Sequence, residues 1–203
     1  YAMTINTDKT KIYGISYPDA VFFEYDIPSG KFYRHGQWLS AKAYSGPERS
    51  WRSVPRAFIC ASDGKVYSSG DNGLMYTFDP ASGKISQTYM RIPGEYWETQ
   101  NYNGYPVVEQ LIEVKPGVVY GSCNDGFLFR FDLESQTLMV LGKPRVERRM
   151  RAMTLGHDGR LYMIAGEKDN VCRMFSYDIA GEEGFLDYGV LGVDRSPYYA
   201  KIA

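Results

Sequence analysis

Cysteine, histidine and long apolar runs are all scarce in this chain of 203 residues. The three cysteines, Cys60, Cys123 and Cys172, are an odd and scattered set. Such a set argues against a disulfide framework and against a CxxC metal site, so we interpret them as small core residues. No run approaches the roughly 20 apolar residues that span a bilayer, and we expect no membrane partner. The two histidines, His35 and His157, stand far apart and predict neither a metal site nor a catalytic triad.

Charge of either sign is not in excess. The net charge is −1, so the total predicts no general attraction to polyanions, and we expect no nucleic-acid partner. Residue 1 is tyrosine rather than methionine, which leaves a processed or trimmed N-terminus open. The abundant residues are 18 Tyr, 10 Phe and 21 Gly. Tyrosine and phenylalanine favour strands and glycine marks turns, so the composition predicts an all-β fold.

One sequence pattern occurs four times, over residues 8–33, 62–86, 115–139 and 157–186. Each unit has a tyrosine after its first turn, at Tyr13, Tyr67, Tyr120 and Tyr162. Each has an aspartate at the end of its third strand, at Asp26, Asp79, Asp132 and Asp178. The aspartates lie 53, 53 and 46 residues apart. Repeats of roughly 40–50 residues with four strands each indicate propeller blades.

Four strands can be placed in each unit. Strand A precedes the first turn, as in "RAFICA" (56–61), "VVEQLIEV" (107–114) and "RAMTLG" (151–156), and strand B follows that turn. Strand C alternates, with Val21, Phe23, Tyr25 and their equivalents on one face and Glu24, Thr77, Arg130 and Ser176 on the other. The repeated aspartates come just before turn residues, so we expect them to build turns rather than a ring of carboxylates.

The motif "SDGKVYSSGDNGLMYTFDPASGK" (62–84), with the endings "MVLGKP" and "LDYGVLG", resembles the blades of kelch-, NHL- and virginiamycin-B-lyase-like bacterial propellers. Some proteins of this kind are polysaccharide lyases. The resemblance covers essentially the whole chain and implies the architecture, whereas blades host unrelated activities. No catalytic motif matches residue by residue.

We place the blades at about 1–39, 56–92, 107–143 and 151–192, and residues 196–203 resemble the first strand of a further blade. Propellers usually have four to eight blades. One interpretation is therefore a piece of a six- to eight-bladed ring, completed by a further chain or segment. The other is a closed four-bladed ring whose last strand completes the first blade. We favour the first, because the chain ends without a closing signature.

Three uneven connections, 40–56, 91–106 and 143–151, are where function is expected, since loops on a rigid scaffold commonly carry it. Aromatic and arginine side chains in them suit an acidic saccharide. The predicted ligand-binding residues are Trp51, Arg52, Arg56, Tyr96, Trp97, Arg149 and Arg151.

For catalysis, a lyase would use a tyrosine as acid and base, and Tyr96, Tyr102 and Tyr105 are the candidates. An arginine would neutralise the uronate carboxylate. No cofactor or metal is expected. The alternative is a non-catalytic protein-interaction scaffold with a flat apolar patch of Trp51, Tyr96 and Trp97.

Overall fold

The chain folds into four antiparallel sheets of four strands each, which follow one another along the sequence. The structure is a computed structural model and describes residues 2–17, 19–40, 54–94, 106–146, 148–166 and 171–192. In every sheet the strands neighbour one another in chain order, so each sheet is an up-and-down blade. The fold is an all-β propeller fold, as the repeat predicts.

The strand bounds define the blades. Blade 1 contains β1 (Ala2–Ile5), β2 (Lys11–Ile15), β3 (Val21–Asp26) and β4 (Lys31–Gln37). Blade 2 contains β5 (Ile59–Cys60), β6 (Val66–Ser69), β7 (Leu74–Asp79) and β8 (Lys84–Arg91). Blade 3 contains β9 (Val108–Lys115), β10 (Val118–Cys123), β11 (Leu128–Asp132) and β12 (Thr137–Gly142). Blade 4 contains β13 (Met150–Leu155), β14 (Arg160–Ala165), β15 (Cys172–Asp178) and β16 (Phe185–Gly192).

The inner strand of blade 2 is much shorter than the sequence predicts. A strand was expected over 56–61, but β5 covers only Ile59–Cys60. The preceding backbone bonds elsewhere: the Arg56 amide donates to the Val108 carbonyl of blade 3, at 3.0 Å. The Ser68 hydroxyl donates to the Ala57 carbonyl. The start of this segment therefore links two blades instead of extending one sheet.

The alternation predicted for strand C is confirmed, and its two faces pack on different blades. Phe78 is fully buried against Phe22 of blade 1, with ring centroids 4.8 Å apart. On the opposite face of the same strand, Met75 is fully buried in the core shared with Phe129 of blade 3. Each blade thus offers one apolar face to the blade before it and one to the blade after it.

One aromatic contact repeats at each junction between successive blades. The strand-B tyrosine of one blade packs on the aromatic residue near the end of strand C in the next blade. The ring centroids are 5.7 Å apart for Tyr13–Phe78, 5.8 Å for Tyr67–Phe131 and 6.5 Å for Tyr120–Tyr177. Such aromatic pairs contribute about 0.5–1.5 kcal/mol beyond the area they bury.

The two ends of this series are Tyr25 and Tyr162. Tyr25 occupies the position of Phe78 but is 36% exposed. Tyr162 stacks instead on Tyr188 of its own blade, with centroids 6.1 Å apart. Blade 1 already contains its inner strand β1, so no strand from the end of the chain is needed to complete it.

The four repeated aspartates build turns, as predicted. Their carboxylates accept hydrogen bonds from backbone amides two or three residues later, on Ser29, Ala81, Ser135 and Ala180. For Asp79 and Asp132 these amide bonds are the main reason why the carboxyl pKa lies below its usual value. For Asp26 the Ser29 hydroxyl is the main cause of the lowered pKa, and the amide of the same residue adds to it.

Two of the three cysteines belong to the core, as predicted: Cys123 lies within one core cluster and Cys60 packs against another. Cys123 is fully buried, and burial raises the pKa of its thiol to about 12, which makes it unreactive. Cys60 and Cys172 are only partly buried, and all three cysteines are free thiols. Within the described residues no helix is long and apolar enough to cross a membrane.

Candidate functional site

Inner-strand residues of blades 2, 3 and 4 converge at one end of the propeller, where the B–C turns lie. We call Arg56, Glu109, Arg149 and Arg151 the mouth cluster. Arg56 precedes β5, Glu109 lies in β9, Arg149 precedes β13 and Arg151 lies in it. Backbone bonds hold these segments to the B–C turns and to one another: the Arg149 amide donates to the Asn124 carbonyl, at 2.9 Å. A side-chain bond adds to these: Nε2 of the Gln110 side chain donates to the Arg151 carbonyl, at 2.8 Å.

Two members of the cluster sit at irregularities of the strand pairing. In β9, Val108 pairs with Cys123 and Gln110 with Ser122, so Glu109 is the extra residue of a bulge. In β13, Met150 pairs with Ala165 and Ala152 with Ile164, so Arg151 is the extra residue there. Bulges re-aim a side chain, and they are over-represented at barrel rims and next to active sites.

Arg149 has a left-handed backbone, with φ at +57°. This conformation costs a residue with a Cβ on the order of 1 kcal/mol, and such residues cluster at functional sites. Here the bond from the Arg149 amide to the Asn124 carbonyl maintains the conformation. The strained backbone marks this residue as one whose position the surrounding structure enforces.

The electrostatics of the cluster centre on a buried carboxylate. The Glu109 side chain is only 3% exposed, and its Oε1 lies 3.3 Å from Arg56 Nε and 3.8 Å from Arg149 Nη1. The Arg56 and Arg149 side chains are 12% and 14% exposed, so both are largely buried beside the carboxylate. A second buried carboxylate, Asp125, accepts a 2.7 Å bond from Arg148 in the same region.

The arrangement of Glu109 between Arg56 and Arg149 bears on anion binding. A carboxylate held between two planar guanidinium groups fixes their orientation, as in other charge-assisted pairs. Planar guanidinium groups pair bidentately with carboxylates, so two oriented ones are chemically suited to an anion such as a ligand carboxylate.

Three of the seven predicted ligand-binding residues lie in the described part of the chain, and two of them, Arg56 and Arg149, approach the same Glu109 carboxylate. The third is Arg151. The other four, Trp51, Arg52, Tyr96 and Trp97, lie outside the described residues, as do the catalytic candidates Tyr102 and Tyr105. Arg145, from the same basic connection as Arg149, turns the other way and pairs with Asp187 of an outer strand, at 2.9 Å.

Sequence reasoning missed the acidic half of the site. Glu109 was visible as a charged residue within an apolar inner strand, and Asp125 as part of an ordinary Asn-Asp-Gly turn. It also missed two buried serines that join blades. The Ser69 hydroxyl accepts the Val108 amide bond, at 3.0 Å, and the Ser122 hydroxyl donates to the Met150 carbonyl, at 2.7 Å. These bonds fix the relative positions of the inner strands that carry the residues of the mouth cluster.

The histidines lie away from this site. His35 is on β4, packs on Phe78 and lies 3.1 Å from the Glu24 carboxylate. His157 is in the turn between β13 and β14, at the opposite end of the blade from Arg149. Among the described residues no group of three or more metal-ligating side chains comes together.

The fold and the junction contacts define a β-propeller, and the comparisons with solved structures agree. No family model and no curated protein matches the sequence. Virginiamycin B lyase from Staphylococcus aureus is similar over 94% of this chain, with a TM-score of 0.62 and 12% identity. The extracellular domain of a hybrid two-component system from B. thetaiotaomicron is similar over 92%, with a TM-score of 0.62 and 13% identity.

A third similar structure is YjhT, over 96% of this chain, with a TM-score of 0.58 and 13% identity. The chain spans 55% of the lyase, 21% of the two-component domain and 66% of YjhT. At such low identities these likenesses show a shared fold.

Proposed function

We propose that the chain is the ligand-binding part of a β-propeller that holds an acidic saccharide at the mouth cluster. The observation that carries this proposal is the convergence of Arg56 of blade 2 and Arg149 of blade 4 on the buried Glu109 carboxylate of blade 3, with Arg151 two residues after Arg149. A saccharide carboxylate would meet more than one oriented guanidinium, and a bidentate arginine contact of this kind is both strong and directional.

Glu109 supports this function by holding the arginines in place before a ligand arrives. Ordering a long side chain at a binding site costs about 0.5–1.5 kcal/mol, and a guanidinium already held by a buried carboxylate avoids most of that cost. This arrangement requires a left-handed backbone at Arg149, which is conformationally unfavourable. It also requires bulges at Glu109 and Arg151, which interrupt regular strand pairing.

An elimination reaction would fit the same site. Binding of a uronate carboxylate by arginine withdraws charge and acidifies the proton on C5. A base such as a tyrosinate would remove that proton, the oxygen on C4 would leave with its bonding electrons, and a C4–C5 double bond would form. The similar S. aureus protein is a lyase by name, and for the present chain lyase activity is a proposal.

Calorimetric titration tests the binding proposal. The chain is titrated with an oligogalacturonate and, as the neutral control, with its fully methyl-esterified form. We expect saturable binding of the acid alone. Because a hydrogen bond to a charged group contributes about 1.5–3 kcal/mol, Arg149→Gln should weaken binding roughly ten-fold or more. Arg145→Gln is the matched control, since Arg145 belongs to the same connection but pairs with Asp187.

The proposal fails if the acid does not bind, if its methyl ester binds equally well, or if Arg149→Gln leaves the affinity unchanged. An ultraviolet assay for unsaturated product on the same samples tests lyase activity separately. Binding without product would support the binding function and rule out the elimination reaction.

We further propose that the ring is larger than these four blades. Blade 1 exposes Met3, Phe32 and Tyr25 on the face that in blades 2 to 4 is covered by the preceding blade, with Met3 66% exposed. Blade 4 exposes Leu186, Tyr188 and Leu191 on its outer strand β16. Further blades would cover both faces, and exposed apolar faces of this kind are unusual on monomers.

The second candidate function is a protein-interaction scaffold. The same apolar faces favour it, because a partner protein could cover them without any glycan binding. The patch predicted for this function, Trp51, Tyr96 and Trp97, lies outside the described residues. Absence of glycan binding in the titration would favour the scaffold.

A further inference from the structure

A cleft of about 300 Å³ lies between blades 3 and 4, at the end of the propeller opposite the mouth cluster. It is formed where β9 ends, β10 begins and β13 ends. Its apolar wall consists of Val114, Val118, Leu155 and Ile179. This volume is at the lower limit of ordinary ligand pockets, so it suits a small molecule rather than a polymer.

Two cationic side chains, Arg130 and Lys115, also line this cleft. Arg130 is half-buried on β11, beside Tyr120, its partner in the strand pairing. Within the described part of the chain, no hydrogen bond or ion pair engages the Arg130 guanidinium. None of the described residues that line the cleft is acidic. A half-buried guanidinium against an apolar wall is a strong attractor for a carboxylate.

The carboxylates nearest in sequence are already engaged. Asp132 accepts bonds from the amides of Glu134 and Ser135 in its own turn. Asp178 accepts amide bonds from Ala180 and Glu182. Both serve turn formation; the Arg130 charge makes a small contribution to the lowered pKa of Asp132, and Arg130 also lines the cleft.

The junction between blades 2 and 3 contains a carboxylate that has no equivalent at the junction between blades 3 and 4. Between blades 2 and 3, Glu113 crosses the gap and accepts from the Ser62 amide, at 2.9 Å, and from the Gly117 amide, at 2.8 Å. In the repeat, Lys115 is equivalent to Ser62, and Leu155 is equivalent to Glu113. The carboxylate that bridges one junction is thus replaced by leucine at the next. Arg130 takes the place of Thr77 at the same junction.

We propose that the cleft between blades 3 and 4 binds a small amphipathic carboxylate. The carboxylate group pairs with Arg130 and is attracted by Lys115, while the apolar body packs against Val114, Leu155 and Ile179. The ligand carboxylate supplies at this junction the negative charge that Glu113 supplies at the preceding one. This is a second site, independent of the saccharide site at the mouth cluster.

Titration followed by calorimetry and by two-dimensional NMR tests the proposal. The probe is 3-phenylpropionate, and its neutral isostere 3-phenylpropanamide is the ligand control. We expect saturable binding of the acid, with shifts confined to residues of the cleft, and binding of the amide at least ten-fold weaker. Arg130→Met should weaken binding of the acid about ten-fold or more, and Arg130→Lys by less. Lys84→Met, which removes an exposed charge on β8, is the protein control.

Leu155→Asn separates the two halves of the site. This variant should bind 3-phenylpropionate more weakly but bind acetate equally well, because acetate lacks the apolar body. Three results would each overturn the proposal: no saturable binding of the acid, equal binding of acid and amide, or unchanged affinity in an Arg130→Met variant that remains folded by circular dichroism.

Discussion

Tyr67 of blade 2 packs on Phe131 of blade 3, with ring centroids 5.8 Å apart. Tyr13–Phe78 and Tyr120–Tyr177 repeat this contact at the other two junctions. At the two ends of the series, Tyr25 in blade 1 occupies the strand-C position of this contact and Tyr162 in blade 4 occupies the strand-B position. The three junctions thus share one aromatic contact, and each terminal blade contains one of the two aromatic residues that form it.

Exposed residues of blade 1 should cause self-association. We expect light scattering of the chain to show a mass that rises with concentration, because Tyr25 and Phe32 lie on an uncovered apolar face. Tyr25→Lys combined with Phe32→Lys should give a monomer at every concentration. Tyr89→Lys is the control, since Tyr89 is fully exposed on blade 2. A strictly monomeric parent chain would argue against the larger ring.

Loss of the Glu109 charge should destabilise the fold. Glu109→Gln leaves the largely buried Arg56 and Arg149 without their shared carboxylate, and breaking a buried pair costs about 3 kcal/mol or more. Urea unfolding gives this loss as a lower midpoint. The exposed Glu134→Gln is the control. Equal midpoints for both variants would mean that Glu109 does not organise the arginines.

A methyl group at Gly121 should overpack the second junction. A Cβ there would lie 2.3 Å from the Phe129 ring and 2.9 Å from Leu111, and overpacking costs typically about 1–3 kcal/mol. Phe129→Leu in the Gly121→Ala background should recover part of the loss. Gly192→Ala, whose Cβ would meet none of the described residues within 4 Å, should leave the urea midpoint nearly unchanged. If the two alanine variants behave alike, close packing is not the reason for Gly121.

The aspartate turns should make stability fall in acid. The pKa values of Asp26, Asp79, Asp132 and Asp178 lie below the usual 3.8 in the folded chain. Their contribution is complete above that value and is lost as the pH falls through the lowered pKa values. Asp79→Asn keeps an acceptor oxygen but removes one titrating group, so its urea midpoint should fall less steeply with acid. An unchanged pH dependence would show that this turn does not couple folding to protons.

The repeat, the alternation of strand C and the aspartate turns were predictable because they depend on short-range patterns. Alternation at period two is visible in Val21, Phe23 and Tyr25 without knowledge of neighbouring blades. Turn chemistry is equally local, and Asp79 needs only the residues that follow it.

The mouth cluster was only half predictable, because it depends on contacts between blades. Two bulges decide where Glu109 and Arg151 point, and neither bulge has a marker in the sequence. The path of one connection decides that Arg145 turns outward while Arg149 turns inward. The early departure of the Arg56 backbone towards blade 3, which shortens β5, is likewise a long-range effect.

The most direct test of the saccharide site is an NMR titration of arginine side chains. Guanidinium Nε–H signals, assigned by single Arg→Lys variants, are followed while an oligogalacturonate is added. We predict that the signals of Arg56, Arg149 and Arg151 shift together with one saturation curve, while that of Arg145 stays constant. Saturation at Arg145 with no change at the mouth cluster, or no saturable shift at any of them, would contradict it.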